Sequence, residues 1–173
     1  MERSFVMIKP DGVKRGLTED ILKRFTDAGL NIVEKKELVA SREIMEQHYP
    51  INDEEYVMTL GHVDVSNMTD EEKQAVKEKN TAIISAMHEF MMSGPVLATI
   101  IEGEEGTVAK IREIVGKTNP ADAAPGTIRG DYGEDSYAQA DKESRSVKNL
   151  VHASGAPDEA EHEIKIWFPE LGE

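Results

Sequence analysis

The 173-residue sequence contains no cysteine, which excludes a disulfide framework and any thiolate metal site. It has no apolar run long enough to span a membrane. No signal-peptide pattern opens it; Glu2 and Arg3 lead straight into a short strand-like run. A cytoplasmic protein is the expectation from these absences. Basic residues are in short supply, 20 against 34 acidic ones, for a formal charge of −14. Such a chain repels nucleic acid and anionic membranes, so neither is expected as a partner, and an anionic ligand needs a local basic cluster. No Walker A sequence is present, which excludes a P-loop enzyme. Internal repeats and low-complexity segments are absent too. Against these absences, hydrophobic residues make up 39% of the chain and run through its whole length. That pattern predicts one globular domain over residues 1–173.

The punctuation of the chain predicts its elements. "SFVMIK" at 4–9 is a strand ending at the turn signal "PDG". A helix follows with Thr18 as its N-cap, an apolar stripe of Ile21, Leu22, Phe25 and Ala28, and Gly29 as its stop. Residues 30–39 read as a second strand and 42–49 as a short helix before Pro50. The stretch 52–67 reads as irregular. Thr69 and Glu72 have capping-box spacing and open a helix that is polar at first and apolar at Ile83, Ile84, Met87, Phe90 and Met91. Residues 96–101 are a third strand and 107–115 a helix with Val108, Ile111 and Val115 on one face. A Pro/Gly-punctuated loop spans 117–131, and loops of that length in a compact domain are usually functional. Residues 131–148 are polar with little periodicity, 149–152 a fourth strand, and Pro157 opens a last helix. Strands joined by helical crossovers suggest an open sheet with helices packed on it.

Within "KNLVHASG" at 148–155, His152 stands between an apolar dipeptide and small residues. Two readings are open: a half-buried histidine satisfied by a hydrogen bond, or a nucleophile held at a strand end where a bulky reactant can reach it. Two charges on apolar helix stripes bear on the choice. Glu163 lies with Ala160, Ile164 and Trp167, and Arg112 with Val108, Ile111 and Val115. They could pair with each other, or snorkel at the edge of each face. Alternatively Glu163 accepts the proton of one His152 nitrogen and leaves the other nucleophilic, while Arg112 holds phosphate. Lys9 at the first strand end and Thr118 and Arg129 in the long loop would complete a cationic cluster around His152, a pattern suited to a polyphosphate substrate.

Together "FVMIKPDGVKRGL" (5–17), "QHY" (47–49), "SGPV" (93–96), "GKTNPADAAPGTIRGDYG" (116–133), "NLVHASG" (149–155) and "EIKIWF" (163–168) resemble the nucleoside diphosphate kinase family, in the family's order and over nearly the whole chain. The resemblance implies an α/β (α+β) domain of ferredoxin-like βαββαβ fold, with a four-stranded antiparallel sheet and helices packed on it. It implies transfer of the γ-phosphate of ATP or another NTP to an NDP, with Mg²⁺ held mainly by the nucleotide phosphates. His152 aligns with the family's phosphorylated histidine and Glu163 with the carboxylate that orients it. Lys9, Tyr49, Arg112, Thr118, Arg129 and Asn149 align with residues around the phosphates and ribose, and Ser154 with a serine bonded near the active site. Ile83 and Met87 stand where the base is usually stacked. The chain departs from the family pattern in long inserts at about 52–82 and 133–147, and it stops soon after Trp167. Family members assemble as dimers, tetramers or hexamers, so a homo-oligomer is expected. A module that binds nucleotide without transfer is the competing class, and DNA binding is disfavoured by the charge.

Overall fold

The computed structural model describes residues 1–171. In chain order its elements are β1 (Glu2–Ile8), α1 (Pro10–Lys14), α2 (Thr18–Asp27), β2 (Asn31–Leu38), α3 (Arg42–His48), α4 (Glu54–Thr59) and α5 (Asp70–Met91). After these come β3 (Val96–Gly103), α6 (Thr107–Val115), α7 (Ile128–Tyr132), α8 (Tyr137–Lys142), β4 (Val151–Ala153) and α9 (Pro157–Trp167). The sheet runs β2-β3-β1-β4, and each neighbouring pair is antiparallel. This is the α+β, ferredoxin-like order that the resemblance implies.

β1 and β3 lie in the middle of the sheet and are buried on both faces, so they read as continuous apolar runs rather than alternations. Successive side chains still point to opposite sides. Phe5 and Met7 join Ala98 and Ile100 in one core, covered by residues of α3, α5 and α9 such as Met45, Ile84 and Trp167. Val6 and Ile8 join Leu97 and Ile101 in the other, covered by Ile21, Leu22 and Phe25 of α2 and Ile111 and Val115 of α6. In the β1–β4 register Met7 stands opposite His152. That pairing puts His152 on the α3/α9 face, while Val151 sits in the other core.

Several expected elements differ in the structure. "PDG" is the first turn of a helix with Pro10 at its start, where the missing N–H costs nothing. Thr18 is the first residue of α2, not its cap; Leu17 takes that place and no side chain bonds there. Gly29 ends α2 with φ +80, a left-handed conformation that glycine adopts without strain. The 52–67 stretch holds a helix: Asp53 caps α4 by accepting from Tyr56 N at 3.2 Å, and Val57 is buried. Its far end is closed by Asn80 of α5, whose amide donates to Val57 O at 2.8 Å and Leu60 O at 3.3 Å. This partner explains why Asn80 is buried in the polar half of α5. The expected Thr69–Glu72 capping box is present in both directions, at 2.7 and 3.2 Å.

The 117–131 loop holds a 3-10 turn at Pro120–Asp122 and the start of α7. The polar 131–148 stretch is stapled by charge rather than by an apolar stripe. Asp135 accepts from both terminal nitrogens of Arg145 at 2.6 and 3.0 Å and from Lys148 N at 2.8 Å. Those bonds hold the Asp135 carboxyl far below the usual carboxylate range, the Arg145 bonds contributing most. Among the described residues, no helix is long and apolar enough to cross a membrane.

Candidate active site

His152 sits on β4 with its ring against Phe5, centroids 6.0 Å apart, and against His48 at 4.7 Å in an edge-on arrangement. Its Nε2 is 2.7 Å from Glu163 Oε1. Glu163 is only 4% exposed and lies on the inward face of α9. Its second oxygen, Oε2, accepts from the Ser154 hydroxyl at 2.5 Å, and Ser154 Oγ in turn accepts from Phe5 N at 3.3 Å. Glu163 therefore pairs with His152 and Ser154, which rules out the Arg112–Glu163 bridge as the reason for its burial. With Nε2–H donated to Glu163, the neutral ring carries its lone pair on Nδ1. The Tyr49 hydroxyl stands 3.5 Å from that nitrogen. Burial, together with the nearby Lys9 and Arg129 cations, pushes the His152 pKa well down, so the ring is neutral at pH 7. Its side chain keeps 15% exposure, enough to leave one edge open to a reactant.

The turn before His152 is strained and heavily pinned. Leu150 is a non-glycine residue at φ +72, and Val151 N bonds Asn149 O at 2.8 Å across it, closing a three-residue turn. Leu150 N donates to Asp11 Oδ2 at 3.1 Å, and Lys9 N donates to Leu150 O at 2.8 Å. Arg129, 7% exposed, donates from Nε to Asn149 O at 3.1 Å, from Nη2 to Val151 O at 2.5 Å and from Nη1 to Gly116 O at 3.1 Å. Two of its five donor hydrogens thus hold the backbone of the turn, and a third ties it to the end of α6. Asn149 accepts from Lys9 Nζ at 2.7 Å and donates to Thr118 O at 3.0 Å, tying the first strand end to the long loop.

Tyr49 and Glu163 reach the His152 ring directly and Ser154 through Glu163, while Lys9, Asn149 and Arg129 hold the turn before it. Arg112 and Thr118 are exposed at the edge of the same region. On α5, Ile83 is 41% exposed and Met87 packs against the first core. Sequence reading missed three further residues. Asp11 was legible only as a turn former, yet its carboxylate anchors Leu150 and its other oxygen, Oδ1, is buried without a partner. His48 is buried between Trp167 and His152, and its Nδ1 accepts from Trp167 Nε1 at 3.2 Å. Burial pushes it down to about 3, and its Nε2 has no partner. Tyr137 N donates to Asn119 Oδ1 at 3.2 Å, so α8 supports the long loop from outside. Nothing in the sequence pairs these residues, because their partners lie far along the chain.

Burial lowers the Lys9 ammonium to about 8, with the Arg129 charge adding to the shift. As pH rises through about 8, Lys9 loses the charge it would offer to a phosphate. Affinity for an anionic nucleotide should therefore decline above that pH, seen as a rise in KM larger than any fall in kcat. A pH–KM profile that stays flat to pH 9.5 would show that Lys9 keeps its proton.

Fold and site together define a phosphoryl-transfer class of α+β protein, in which an edge strand of a four-stranded sheet presents one unprotonated histidine nitrogen beside a small group of buried cations. The family model for nucleoside diphosphate kinase matches residues 2–60 and 54–172. The chain is 39% identical to a nucleoside diphosphate kinase of Pyrobaculum aerophilum, covering 98% of this chain and 96% of that one. It is also 39% identical to one from a Picosynechococcus species, over 98% and 89% of the two chains. Among solved structures, an NDP kinase of Pyrobaculum aerophilum superposes with a TM-score of 0.82 over 96% of this chain and 95% of that one, at 39% identity. A nucleoside-diphosphate kinase of Borrelia burgdorferi, with bound vanadate and ADP as a transition-state mimic, gives 0.77 at 30% identity over 96% and 86%. The chain belongs to the nucleoside diphosphate kinase family.

Proposed function

We propose that this chain transfers the terminal phosphoryl group of a nucleoside triphosphate to a nucleoside diphosphate through His152. The Nδ1 lone pair attacks the γ-phosphorus in line; the bond to the β-phosphate oxygen breaks, and the nucleoside diphosphate leaves. A second diphosphate then attacks the same phosphorus through a terminal oxygen, and the P–N bond breaks. One pocket thus serves donor and acceptor in turn. The observation that carries this reading is the 2.7 Å bond between His152 Nε2 and Glu163 Oε1, which leaves Nδ1 as the free nitrogen. Glu163 locks the tautomer and balances the positive charge that builds on the ring as the P–N bond forms. Ser154 holds the carboxylate in register. Lys9, Arg112 and the unspent donors of Arg129 face the phosphates. Thr118, Asn149 and the Tyr49 hydroxyl position phosphate and ribose, while Ile83 and Met87 offer an apolar surface to the base.

Mg²⁺ enters with the nucleotide as part of the substrate. Among the described residues the trio His48, His152 and Glu163 brings ligand atoms within 4.8 Å of one another. Two imidazoles and one carboxylate suit a softer ion, whereas Mg²⁺ demands oxygen ligands. The Glu163 oxygen is moreover already bonded to His152 at 2.7 Å. These residues do not fit a resident magnesium site, in keeping with an ion carried by the phosphates. The chain is read as one domain with inserts at about 52–82 and 133–147, acting in the cytoplasm as a homo-oligomer, without nucleic-acid or membrane partners.

The test is a coupled turnover assay with ATP and a second nucleoside diphosphate, products separated by chromatography. Glu163→Gln should keep the fold and lower kcat by about 10²-fold, the low end for orienting and acid–base groups. Wild-type turnover in that variant would leave Glu163 a purely structural residue.

A further inference from the structure

Glu159 lies in the first turn of α9, two residues beyond its opening proline. A Cβ placed on Gly155 would fall 2.7 Å from Glu159 Oε2 and 3.6 Å from Arg112 Nη1. The carboxylate therefore occupies the space that a side chain at 155 would take, and it faces the same small volume as the exposed guanidinium. The cost of that position is electrostatic. Arg129 spends three donors on backbone carbonyls, and Lys9 is paired with Asn149. Few N–H donors are therefore left free at the phosphate end, and Glu159 cancels part of the charge that Arg112 supplies there. Its charge also reaches His152 and Glu163, and burial holds its carboxyl above the usual range.

A carboxylate here repels a bare polyphosphate but attracts one that carries a divalent cation. We infer that Glu159 is a specificity-determining positioning residue that makes the site select the magnesium complex of a nucleotide over the free nucleotide, with Gly155 kept side-chain-free to admit its carboxylate. The inference rests on the phosphoryl-transfer reading of the site. The competing role is a helix cap, because Glu159 is the third residue of α9 and its carboxylate lies beside Gly155, just before the helix. Glutamine serves at that helix position as well as glutamate does, so Glu159→Gln removes the charge and keeps the cap.

The experiment is calorimetric titration of the whole protein with ADP, once with excess Mg²⁺ and once with EDTA, beside thermal melts. In Glu159→Gln free ADP should bind about 3- to 10-fold tighter, as expected for removing one like charge near the phosphates. Magnesium–ADP should not gain, so the preference for the complex falls by about the same 3- to 10-fold factor. Gly155→Ala should shift the preference in the same direction, because its Cβ displaces the carboxylate without deleting it; if Glu159→Gln does not fold, this variant carries the test. Asp158→Asn, the adjacent acid in the same turn, should leave the preference unchanged. A preference unaltered in both Glu159→Gln and Gly155→Ala overturns the inference, with or without a loss of thermal stability. Equal weakening of both ADP forms overturns it too, since that is the signature of a mere strut for Arg112. If the wild-type protein binds neither form of ADP, the nucleotide reading of the site fails first.

Discussion

Incubated with γ-labelled ATP and no acceptor, the protein is expected to take up label on His152, and His152→Ala to take up none. The bond should be a phosphoramidate at Nδ1: lost in acid, stable in base, and discharged by any nucleoside diphosphate. Initial rates should give the parallel lines of a ping-pong scheme. Loss of the nucleophile removes the covalent route altogether, so turnover should drop by at least about 10⁴-fold, beyond what any orienting group supplies. Exposed His62 should be replaceable without loss of label. His48 is a more demanding control, since its removal strips Trp167 of an acceptor and opens a cavity beside His152. Acid-stable label, or label that survives His152→Ala, would sink the mechanism and leave the fold untouched.

Arg129→Ala should damage both stability and turnover, whereas Arg112→Ala should damage turnover alone. Arg129 holds Asn149 O, Val151 O and Gly116 O, and no other side chain bonds these three carbonyls among the described residues. Removing it takes this donor from Val151 O and Gly116 O and leaves Asn149 O with Val151 N alone, around a turn already strained at Leu150. Charge-assisted bonds contribute about 1.5–3 kcal/mol each but are not additive, so a loss of about 3–5 kcal/mol is expected in urea unfolding. Arg129→Lys should not restore it, because one ammonium cannot span three carbonyls set by a planar fork. Arg112 is exposed on α6. Its alanine variant should melt within about 0.5 kcal/mol of wild type, as surface substitutions do, and show a raised KM. Equal destabilisation by both variants would contradict this division of labour.

The two arginines show where sequence pattern stops. In the sequence they look alike: two cations near a histidine in an acidic chain. Periodicity even places Arg112 beside a buried stripe and Arg129 in an open loop, and the exposures come out reversed. Burial of Arg129 depends on the turn into β4, whose Asn149 and Val151 carbonyls lie 20 and 22 residues further on. Ile83 and Met87 illustrate the same limit, since their facing depends on how α5 docks and not on their spacing. The α4 helix went unseen because its closing partner, Asn80, is 23 residues beyond Val57.

What the sequence determined by itself is what neighbouring residues decide among themselves. The apolar runs of β1 and β3, the Thr69–Glu72 box, the helix over Thr107–Val115 and the proline at the start of α9 are all set by contacts within a few residues. A chain of motifs in fixed order also carried the family, and it singled out His152 and Glu163, which the structure brings to 2.7 Å from each other. Only the tertiary structure decided which nitrogen of His152 is free, because the Glu163 carboxylate reaches one edge of the ring and Tyr49 the other. It alone decided that Asp11 anchors the strained turn, 139 residues from its partner Leu150, and that Glu159 fills the gap over Gly155. Local pattern fixes where the backbone bends. The direction of a side chain's polar end depends on packing two elements together, and no spacing along one of them contains the geometry of the other.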